Sequence, residues 1–584
     1  MTVIITAKRS NLHLAPEGIT FEATVKGFDT PGPRGRKAYN PQLHEIHYIW
    51  DFGDPGEYTV PVNLVSEHRN ANVAYGPIVS HVYRKAGTYT VTLEAVEPSS
   101  GKISKTTYKV VVGDPDRAFA GRETFFVDSG GDYRGAPAGS VGFSSLDAAL
   151  NAARKGGPLK RIMLRRGQIF PTNSIRMRRD YGSLYFCASP GKGRKPQVMW
   201  KPGQHIQFFW INDVDAGKTK DFVFTNIRFQ GPWNSTTETG TPRVSGIYTG
   251  EKRPSYILID GCEFDGFSIS ISIVKSAAKN DMLILNDTVI TNWQDYGIFE
   301  AQQGYTSVLG CRITQHVNAL SGGPKDWSHN RHGCVRIQKG GKFVMDGCDL
   351  FSRNGWFENV KGWHTSQSCL RWNQLAVKGA LANIQRCTGE GGWQVFAIST
   401  MKKSIVPNLQ NAIVDKCLLI GGMMSSSVLR INYGGTTVRN CVMIHSDIRR
   451  DISPIYDPAA FIALEDLGTN RANTAGEIRI YNNTFVNLMQ AGHYHSQENL
   501  PAAIFSNSGF TNVVEENNVL YQPNLSQTGD GPLDTTVLFK PRHRGYQSYL
   551  VKPLQSQYAI PENTIATYAP KKGSAALGDA DDGL

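Results

Sequence analysis

The sequence lacks several features that define common classes of protein. None of its 584 residues lies in an apolar run approaching 18 in length, which excludes a membrane-spanning helix. Its nine cysteines form no CxxC pair and are odd in number, which disfavours zinc ribbons and a complete disulfide framework. No run of five lysines and arginines occurs, so a basic stripe for nucleic acid is not indicated.

The N-terminal stretch MTVIITAKRSNLHLAPEG also lacks a basic region followed by an apolar core, so it does not have the pattern of a secretory signal. We expect either that a signal has been removed or that the protein reaches the exterior by another route, such as a virus particle. The expected location is therefore a virion tail, the extracellular space or a cell surface.

The composition favours a folded protein that is mostly β. Glycine is abundant, with 59 residues, aromatic residues make up 10% of the chain, and charged residues make up only 19%. The net charge of +12 suits an acidic partner such as an anionic polysaccharide, nucleic acid or a membrane surface. Because the basic residues are scattered, a solvated basic surface explains the charge equally well.

Residues 1–113 consist of short strand patterns separated by turns. The stretch WDFGD at 50–54, followed by HVY at 81–83 and GTYTVTL at 87–93, resembles the PKD domain, an immunoglobulin-like β-sandwich. The resemblance implies a module that spaces or attaches a neighbouring domain. We expect Trp50 and Phe52 to point into the sandwich, and Asp51 and Asp54 to form turns instead of binding metal.

A polar linker at 114–122 then leads into a long second domain, expected at 123–530, with a closing segment at 531–584. An amphipathic helix is predicted early in that domain, with Ser144 or Ser145 as its N-cap. Its apolar positions are Phe143, Leu146, Ala149, Leu150 and Ala153. Strand, glycine-rich loop, helix and strand in that order resemble the start of pectate-lyase-like right-handed parallel β-helices, in which a helix plugs the open end of the solenoid.

A short motif recurs ten times in this domain, from FTNIRF around Ile227 to IYNNTF at Asn483 and VEENNV at Asn517. Successive copies are separated by 23 residues (Thr288 to Cys311) up to 42 residues (Cys441 to Asn483). Six copies place cysteine at the same position: Cys262, Cys311, Cys348, Cys387, Cys417 and Cys441. In a solenoid such positions stack, so we expect an inward ladder of buried free thiols and asparagine, with Asn482 at a corner.

The insertions between these copies are where chemistry is expected. Two of them, between Cys311 and Cys348 and between Cys348 and Cys387, belong to successive coils and concentrate histidine, tryptophan and arginine. The predicted catalytic residues are Lys325, Asp326, His329, Arg331, His332 and Arg336. The predicted substrate-binding residues are Glu300, Trp327, Trp356, Glu358, Trp363, His364, Arg371 and Trp372. Aromatic rings stack on sugars and guanidinium groups pair with carboxylates, although loop packing and solvated charges explain the same residues without function.

Two reaction types remain open for this cluster. A lyase needs a cation to neutralise a uronate carboxylate and a base to remove the adjacent proton; Arg331, Arg336 or Lys325 would neutralise, and His329 or His332 would act as base. A hydrolase needs two carboxylates. The candidates for that pair are Asp295, Glu300, Asp326, Glu358 and Glu390.

Two further segments add weaker candidates. A third insertion, between Cys441 and Asn483, offers Glu465 and Asp466 as a rim or lid. His493 and His495 could bind metal if they lie on a strand, but a third ligand is not evident. The sequence therefore requires no metal, and calcium is a possible cofactor only.

Together these patterns predict an all-β protein, with an immunoglobulin-like (PKD-like) sandwich followed by a right-handed parallel β-helix that carries an N-terminal capping helix. The resemblance implies a carbohydrate-active protein that binds and depolymerises an acidic polysaccharide, as a phage tail spike or secreted enzyme. The Asn-Thr-Asp and Asp-Asp pairs of polygalacturonases are missing from the solenoid. A non-catalytic glycan-binding adhesin or virion fibre is the alternative, with trimerisation or attachment to a particle through residues 1–113 left open.

Overall fold

A computed structural model of the chain describes residues 1–521 apart from a set of internal segments. These segments are 33–37, 62–63, 65, 156–158, 178–181, 203–205, 212–219, 233–242, 251–254, 275–280, 302–303, 316–332, 353, 358–361, 366–367, 373–376, 392–393, 399–409, 422–426, 446–459, 466–475, 488–501, 507–509 and 511. The expected closing segment 531–584 and the His493/His495 pair therefore lie outside the described residues.

The N-terminal unit is an antiparallel sandwich of two sheets. One sheet contains Thr2–Lys8, Glu17–Lys26 and Ile78–Tyr83, and the other His47–Asp51, Val73–Tyr75, Gly87–Glu97 and Lys102–Val112. Short helices lie at Pro41–His44, Ser66–Arg69, Pro115–Ala118 and Gly121–Glu123. Trp50 and Phe52 are buried between the sheets, as expected. Asp51 accepts a hydrogen bond from the Gly53 backbone at 2.8 Å, which supports its expected role in the turn.

The rest of the described chain forms a parallel β-helix. Its successive coils contribute strands to three long parallel sheets. The first sheet contains Thr124–Val127, Val141–Phe143, Leu159–Leu164, Ser183–Ala188, Lys220–Thr225, Ser255–Asp260, Met282–Asn286, Tyr305–Leu309, Lys342–Asp346, Ala380–Gln385, Gln410–Asp415, Thr436–Arg439, Ile478–Tyr481 and Val513–Glu516. The second contains Ile169–Thr172, Gln197–Trp200, Arg228–Gln230, Glu263–Asp265, Val289–Thr291, Arg312–Thr314, Asp349–Ser352, Thr388–Gly391, Leu418–Gly421, Val442–His445, Thr484–Asn487 and Val519–Tyr521. The third contains Ile175–Met177, Gln207–Ile211, Ser245–Thr249, Ile269–Ile273, Tyr296–Glu300, Gly333–Ile337, Ser368–Trp372, Gln394–Ile398, Ser427–Ile431, Ala460–Leu464 and Ala502–Ser506.

The predicted helix closes the N-terminal end of the solenoid core. It spans Leu146–Lys155, and the Ser145 hydroxyl caps it by accepting from the Ala148 backbone at 3.2 Å. Its apolar face packs into the same core as the first coils through Leu146, Leu150 and their neighbours. At ten residues this is the longest helix in the described part of the chain, well short of the roughly 20 residues that a membrane crossing needs.

The corner between the first and second sheets explains the repeated motif. In ten successive coils this corner is two residues long, and its first residue has a φ between 43° and 62°. The second residue points inward: Cys441 and Asn483 are both buried, and the Cys441 backbone donates to the Asn483 side chain at 3.0 Å. The last copy needs correction by one residue, because Asn517 takes the left-handed corner and Asn518 the inward position.

All nine cysteines are free, and eight are buried. The thiols of the inward ladder contact backbone carbonyl groups; the Cys348 sulfur, for example, lies 3.2 Å from the Val308 oxygen. Burial raises the pKa of the Cys262 thiol to about 12. The cysteines therefore pack as small apolar side chains, as expected.

The sandwich lies against the outer face of the first sheet. Its polar contacts reach from strand Lys220–Thr225 to strand Ile478–Tyr481, where Glu45 pairs with Arg479 at 3.2 Å, across nine coils. They include Asn11 with Asp221, Gly18 with Tyr256, Ser80 with Ser307, Tyr75 with Gln385, and His44 with Thr437. The sandwich is thus a lateral brace on the solenoid, while its attachment to a particle stays a prediction.

Ion pairs reinforce this interface. Arg84 of the sandwich bridges Asp260 and Asp287 of the solenoid at 2.7 and 2.8 Å. Asp346 is almost fully buried, where Arg386 binds it with two donors and the Tyr58 hydroxyl donates at 3.1 Å. Because these carboxylates are shielded from water, each depends on its partner for stability.

Replacing Arg386 with methionine should destabilise the protein by about 3–5 kcal/mol, because Asp346 would remain buried without its cation. The loss is measured by chemical denaturation of the full chain followed by circular dichroism. Lys102→Met is the matched control: its partner Asp29 has a side chain 64% exposed, so the cost should stay below about 1 kcal/mol. Equal losses in the two variants would contradict the buried role of Arg386.

Asn483→Ala should cost about 1–3 kcal/mol, because it removes the buried partner of the Cys441 backbone and of Asn518. Asn482→Gly is the control, since glycine also adopts the left-handed corner and the change should stay within about 0.5 kcal/mol. Denaturation midpoints of the two variants test the difference. A larger loss in the glycine variant would contradict the ladder assignment.

Candidate functional site

The long connections of the solenoid are distributed unevenly. From residue 220 onward, the corner between the first and second sheets is always two residues, whereas all connections longer than ten residues precede or follow a strand of the third sheet. Examples are residues 315–332, before strand Gly333–Ile337, and residues 446–459, before strand Ala460–Leu464. Since the sandwich covers the first sheet, the outer face of the third sheet is the best placed of the three for a groove bordered by loops.

One line of outward-facing side chains follows this face, and we call it the outer row. The parallel register aligns Arg176, Trp210, Tyr248, Ser272, Phe299, Arg336, Arg371, Ala397, Arg430 and Ala463. Coils repeat at ~4.8 Å, so neighbouring members of the row lie about one strand spacing apart. The row contains four arginines and three aromatic residues but no carboxylate.

The aromatic part of the row lies toward the N-terminal end. The Arg176 guanidinium lies 4.5 Å from the centre of the Trp210 ring, which meets Tyr248 edge to face at 6.0 Å. Tyr296, two coils further on, packs beside Phe299 with ring centres 5.5 Å apart. Tyr296 is buried, whereas the Trp210, Tyr248 and Phe299 rings are partly exposed and form a surface on which sugar rings can stack.

The arginine part lies next to it. Arg336 donates to the Tyr296 hydroxyl and lies over that ring, and burial raises the pKa of Tyr296, so the phenol stays protonated. Arg430 pairs with Glu465. Arg371 lies between these two arginines along the row, and its pKa is lowered to about 10 by burial and then by the like charges of Arg336 and Arg430. Cationic side chains are thus concentrated on this part of the face.

A second feature lies on the outer face of the second sheet. Asp349 and Glu390 occupy adjacent strands in diagonal register, and the Arg312 Nε lies 3.7 Å from an oxygen of Asp349. Burial raises the pKa of Glu390 to about 7, with a further contribution from the charge of Asp349. A carboxylic acid that titrates near neutrality can donate a proton, as a general acid must.

The structure separates the predicted site residues into four groups, one of which, Glu300 and Trp372, is buried in the core. Arg336 and Arg371 lie side by side on the outer row. Trp356, Trp363 and His364 belong to a hairpin of Asn354–Phe357 with Gly362–Thr365, in which Trp356 pairs with Trp363. Outside the described residues lie Lys325, Asp326, Trp327, His329, Arg331, His332 and Glu358, so their roles stay predictions.

Glu300 and Trp372 require correction as surface residues. Both are fully buried and occupy one inward line, with Ile337 between them in the register. Successive residues of a strand point to opposite faces, so Trp372 enters the core because its neighbour Arg371 faces outward. Neither side chain is placed to contact a polymer outside the solenoid.

Sequence reasoning predicted Arg336, Arg371 and Glu390 as site residues, but it missed Arg430, Asp349, Trp210 and Tyr248. A signal for Arg430 was present, because VLRI at 428–431 repeats the pattern of CVRI at 334–337 and CLRW at 369–372, each with arginine between apolar residues. Asp349 and Glu390 lie one and three residues after inward cysteines, and odd offsets on a strand imply the outer face. Trp210 and Tyr248 carried no comparable signal.

No three His, Cys, Asp or Glu side chains are grouped as a metal site would require within the part of the chain that the structure describes. The described candidate site therefore consists of guanidinium, phenol, indole and carboxyl groups.

The comparisons with known proteins identify the N-terminal unit. Residues 20–110 match the family model of the PKD domain. Among solved structures, the A-module of the mannuronan C-5 epimerase of Azotobacter vinelandii aligns with 61% of this chain and 94% of its own length, at 11% identity and a TM-score of 0.34. So distant a likeness carries no argument about the reaction, and the β-helix assignment rests on the three parallel sheets that surround one core. The PKD domain is the unit that braces the first sheet.

The raised pKa of Glu390 predicts a pH-dependent stability. Because the folded pKa, about 7, exceeds the ordinary value of 4.5, the stabilising contribution of this carboxyl is complete below pH 4.5 and is lost as pH rises through about 7. Glu390→Gln should match the wild type in melting temperature near pH 4.5 and increasingly exceed it toward about pH 8.

The measurement is thermal unfolding across this pH range. Asp349→Asn should reduce the dependence, because it removes the second cause of the shift. A difference between wild type and Glu390→Gln that stays constant with pH would contradict the raised pKa.

Proposed function

We propose that the protein is a carbohydrate-active β-helix that binds a cell-surface or extracellular polysaccharide along the outer row and depolymerises it. The observation that carries the proposal is that aromatic rings and arginines share the outer face of the third sheet. After residue 220, every connection longer than ten residues joins a strand of this sheet. The row runs parallel to the solenoid axis, which suits an extended polymer better than a small ligand. The location proposed with such a substrate is outside a cell or on a virion tail.

The binding chemistry follows from the residue types. Trp210 and Tyr248 provide flat apolar faces for sugar rings, and the arginines provide charge-assisted hydrogen bonds to acidic groups. The PKD domain contributes by holding the first sheet across nine coils. Attachment of the protein to a larger particle, or its trimerisation, would use other surfaces than this interface.

The proposed reaction is polysaccharide cleavage, by elimination or by hydrolysis. For elimination, Arg336 would neutralise a uronate carboxylate, with His329 or His332 as the base. For hydrolysis, Glu390 with its raised pKa would serve as the acid beside Asp349. The two routes use different sheets of the solenoid, so substitutions can separate them.

The second candidate function is binding without cleavage. The protein would then be a glycan-specific adhesin or fibre protein. The observation that favours it is the composition of the outer row itself, since stacking and ion pairing require neither acid nor base. Under this alternative, polymer would bind the row and emerge unchanged.

The test incubates the full chain with a panel of acidic and neutral polysaccharides and measures binding and products. Ultraviolet absorbance from unsaturated ends indicates a lyase, new reducing ends without absorbance indicate a hydrolase, and binding without product indicates the adhesin. Trp210→Ala should weaken binding about tenfold through lost stacking. Tyr133→Ala, an exposed aromatic near the N-terminal end of the solenoid, is the matched control and should leave binding unchanged. No binding to any polymer would overturn the proposal.

A further inference from the structure

The positive charge of the chain is concentrated in one segment. Residues 148–201 contain thirteen lysines and arginines and a single aspartate. This excess of twelve equals the formal net charge of the whole chain, +12, so the remaining residues are balanced. No run of five basic residues occurs in the segment, and only the fold shows which of these charges lie together.

Carboxylates neutralise several of the charges in this segment. Lys160 pairs with Glu123 at 2.6 Å, and Lys195 pairs with Glu263 at 2.7 Å. A paired cation contributes little to the electrostatic field that an approaching ligand meets. The cations that lack a carboxylate partner therefore decide where this segment can bind an anion.

Three cations of the segment have no carboxylate partner within the described residues: Arg166, Lys192 and Arg194. They lie on two loops, 165–168 and 189–196, which connect the first and second sheets in the first two complete coils. Lys192 and Arg194 are exposed, and Arg166 is half-buried. We call this set of three residues the basic corner.

The two loops of the basic corner are stacked on each other. The Gly167 backbone donates to the Arg194 carbonyl at 2.9 Å, and the Arg166 guanidinium donates to the Ser189 carbonyl, also at 2.9 Å. Arg166 is therefore held against the loop that carries Lys192 and Arg194. The carbonyl group orients its guanidinium without cancelling the charge, so three positive groups share one small surface.

Two glycines leave the second loop open. Gly191 and Gly193 have φ angles of 106° and 127°, a conformation that favours glycine. A Cβ added at either position would meet no atom within 4 Å. A ligand can therefore approach the loop backbone closely on both sides of Lys192.

We infer that the basic corner is a second polysaccharide-binding surface, for a chain that carries carboxylate or sulfate groups. Guanidinium and ammonium groups on two stacked loops match acidic groups that repeat along a chain, and they donate charge-assisted hydrogen bonds to them. The two loops hold no aromatic residue on which the bases of a nucleic acid strand could stack.

This surface is separate from the outer row. The basic corner lies where the first and second sheets meet, whereas the outer row lies on the third sheet. The inference rests on the proposed function for its class of ligand, and it adds a site that depends on charge instead of stacking.

The experiment compares charged polymers with neutral counterparts of the same backbone. The full chain is titrated with dextran sulfate and unmodified dextran, and with polygalacturonate and its carboxyl-reduced form. The wild type should prefer at least one charged polymer over its neutral counterpart by about tenfold or more at low salt. That preference should fall as salt is added, because exposed charges are screened.

Substitutions then locate the preference. Lys192→Gln combined with Arg194→Gln should reduce the ratio of charged to neutral binding about tenfold. Both side chains are exposed, so folding should be little affected. Lys105→Gln combined with Lys109→Gln is the matched control, because it removes the same charge from two exposed lysines of the PKD strand Lys102–Val112. The control should keep the wild-type ratio.

Three results would overturn the basic corner as a binding surface. The first is an equal fall of the ratio in the two double variants, since net charge alone would then explain the preference. The second is an equal fall in Trp210→Ala, which would assign the charged ligand to the outer row. The third is tighter binding of duplex DNA or phosphatidylserine vesicles than of either charged polysaccharide at the same salt.

The outcomes also separate this inference from the proposed function. If the wild type binds no polymer, both fail. If it binds charged and neutral forms equally, polysaccharide binding stands and the basic corner is overturned. If the corner variant lowers the ratio while Trp210→Ala changes the binding of no polymer, the basic corner stands and the proposed site on the outer row fails.

Discussion

The two-residue corner between the first and second sheets is the constraint on which the rest of the solenoid depends. Its first residue must adopt the left-handed conformation, and its second must fit into the core between the same positions of the coils above and below. A corner this short admits no insertion without breaking the ladder. Extra chain can therefore enter only at the other corners, and these adjoin the third sheet.

The position of the PKD domain is also related to the tight corners. The outer edge of the first sheet carries Asp260, Asp287 and Asp346 next to the tight corners, and those carboxylates need partners away from water. The domain contributes Arg84 and Tyr58, together with an apolar contact around Ile78 and Val82. It thereby covers the first sheet beside the edge that the tight corners form.

Side chains alternate between the two faces of a strand, and this alternation decides which candidate residues point out of the solenoid core. Arg371 and Trp372 are neighbours in the sequence, yet one lies on the outer row and the other in the core. In the sequence both lie near Arg336, because all three are in or beside the two insertions that concentrate histidine, tryptophan and arginine. Only the register of the third sheet separates them, and the pattern of arginine between apolar residues marks that register in only a few of its strands.

The sequence by itself determined the architecture: the sandwich, the capping helix and nearly every inward position of the ladder were readable, because each rests on local pattern or on a repeat. The last ladder position was missed by one residue, since two adjacent asparagines satisfy the same pattern. The tertiary structure alone decided that the sandwich lies along the solenoid and that Arg336, Arg371 and Arg430 share one face. Those relations join residues from different coils, and their proximity arises from stacking, which no single segment encodes.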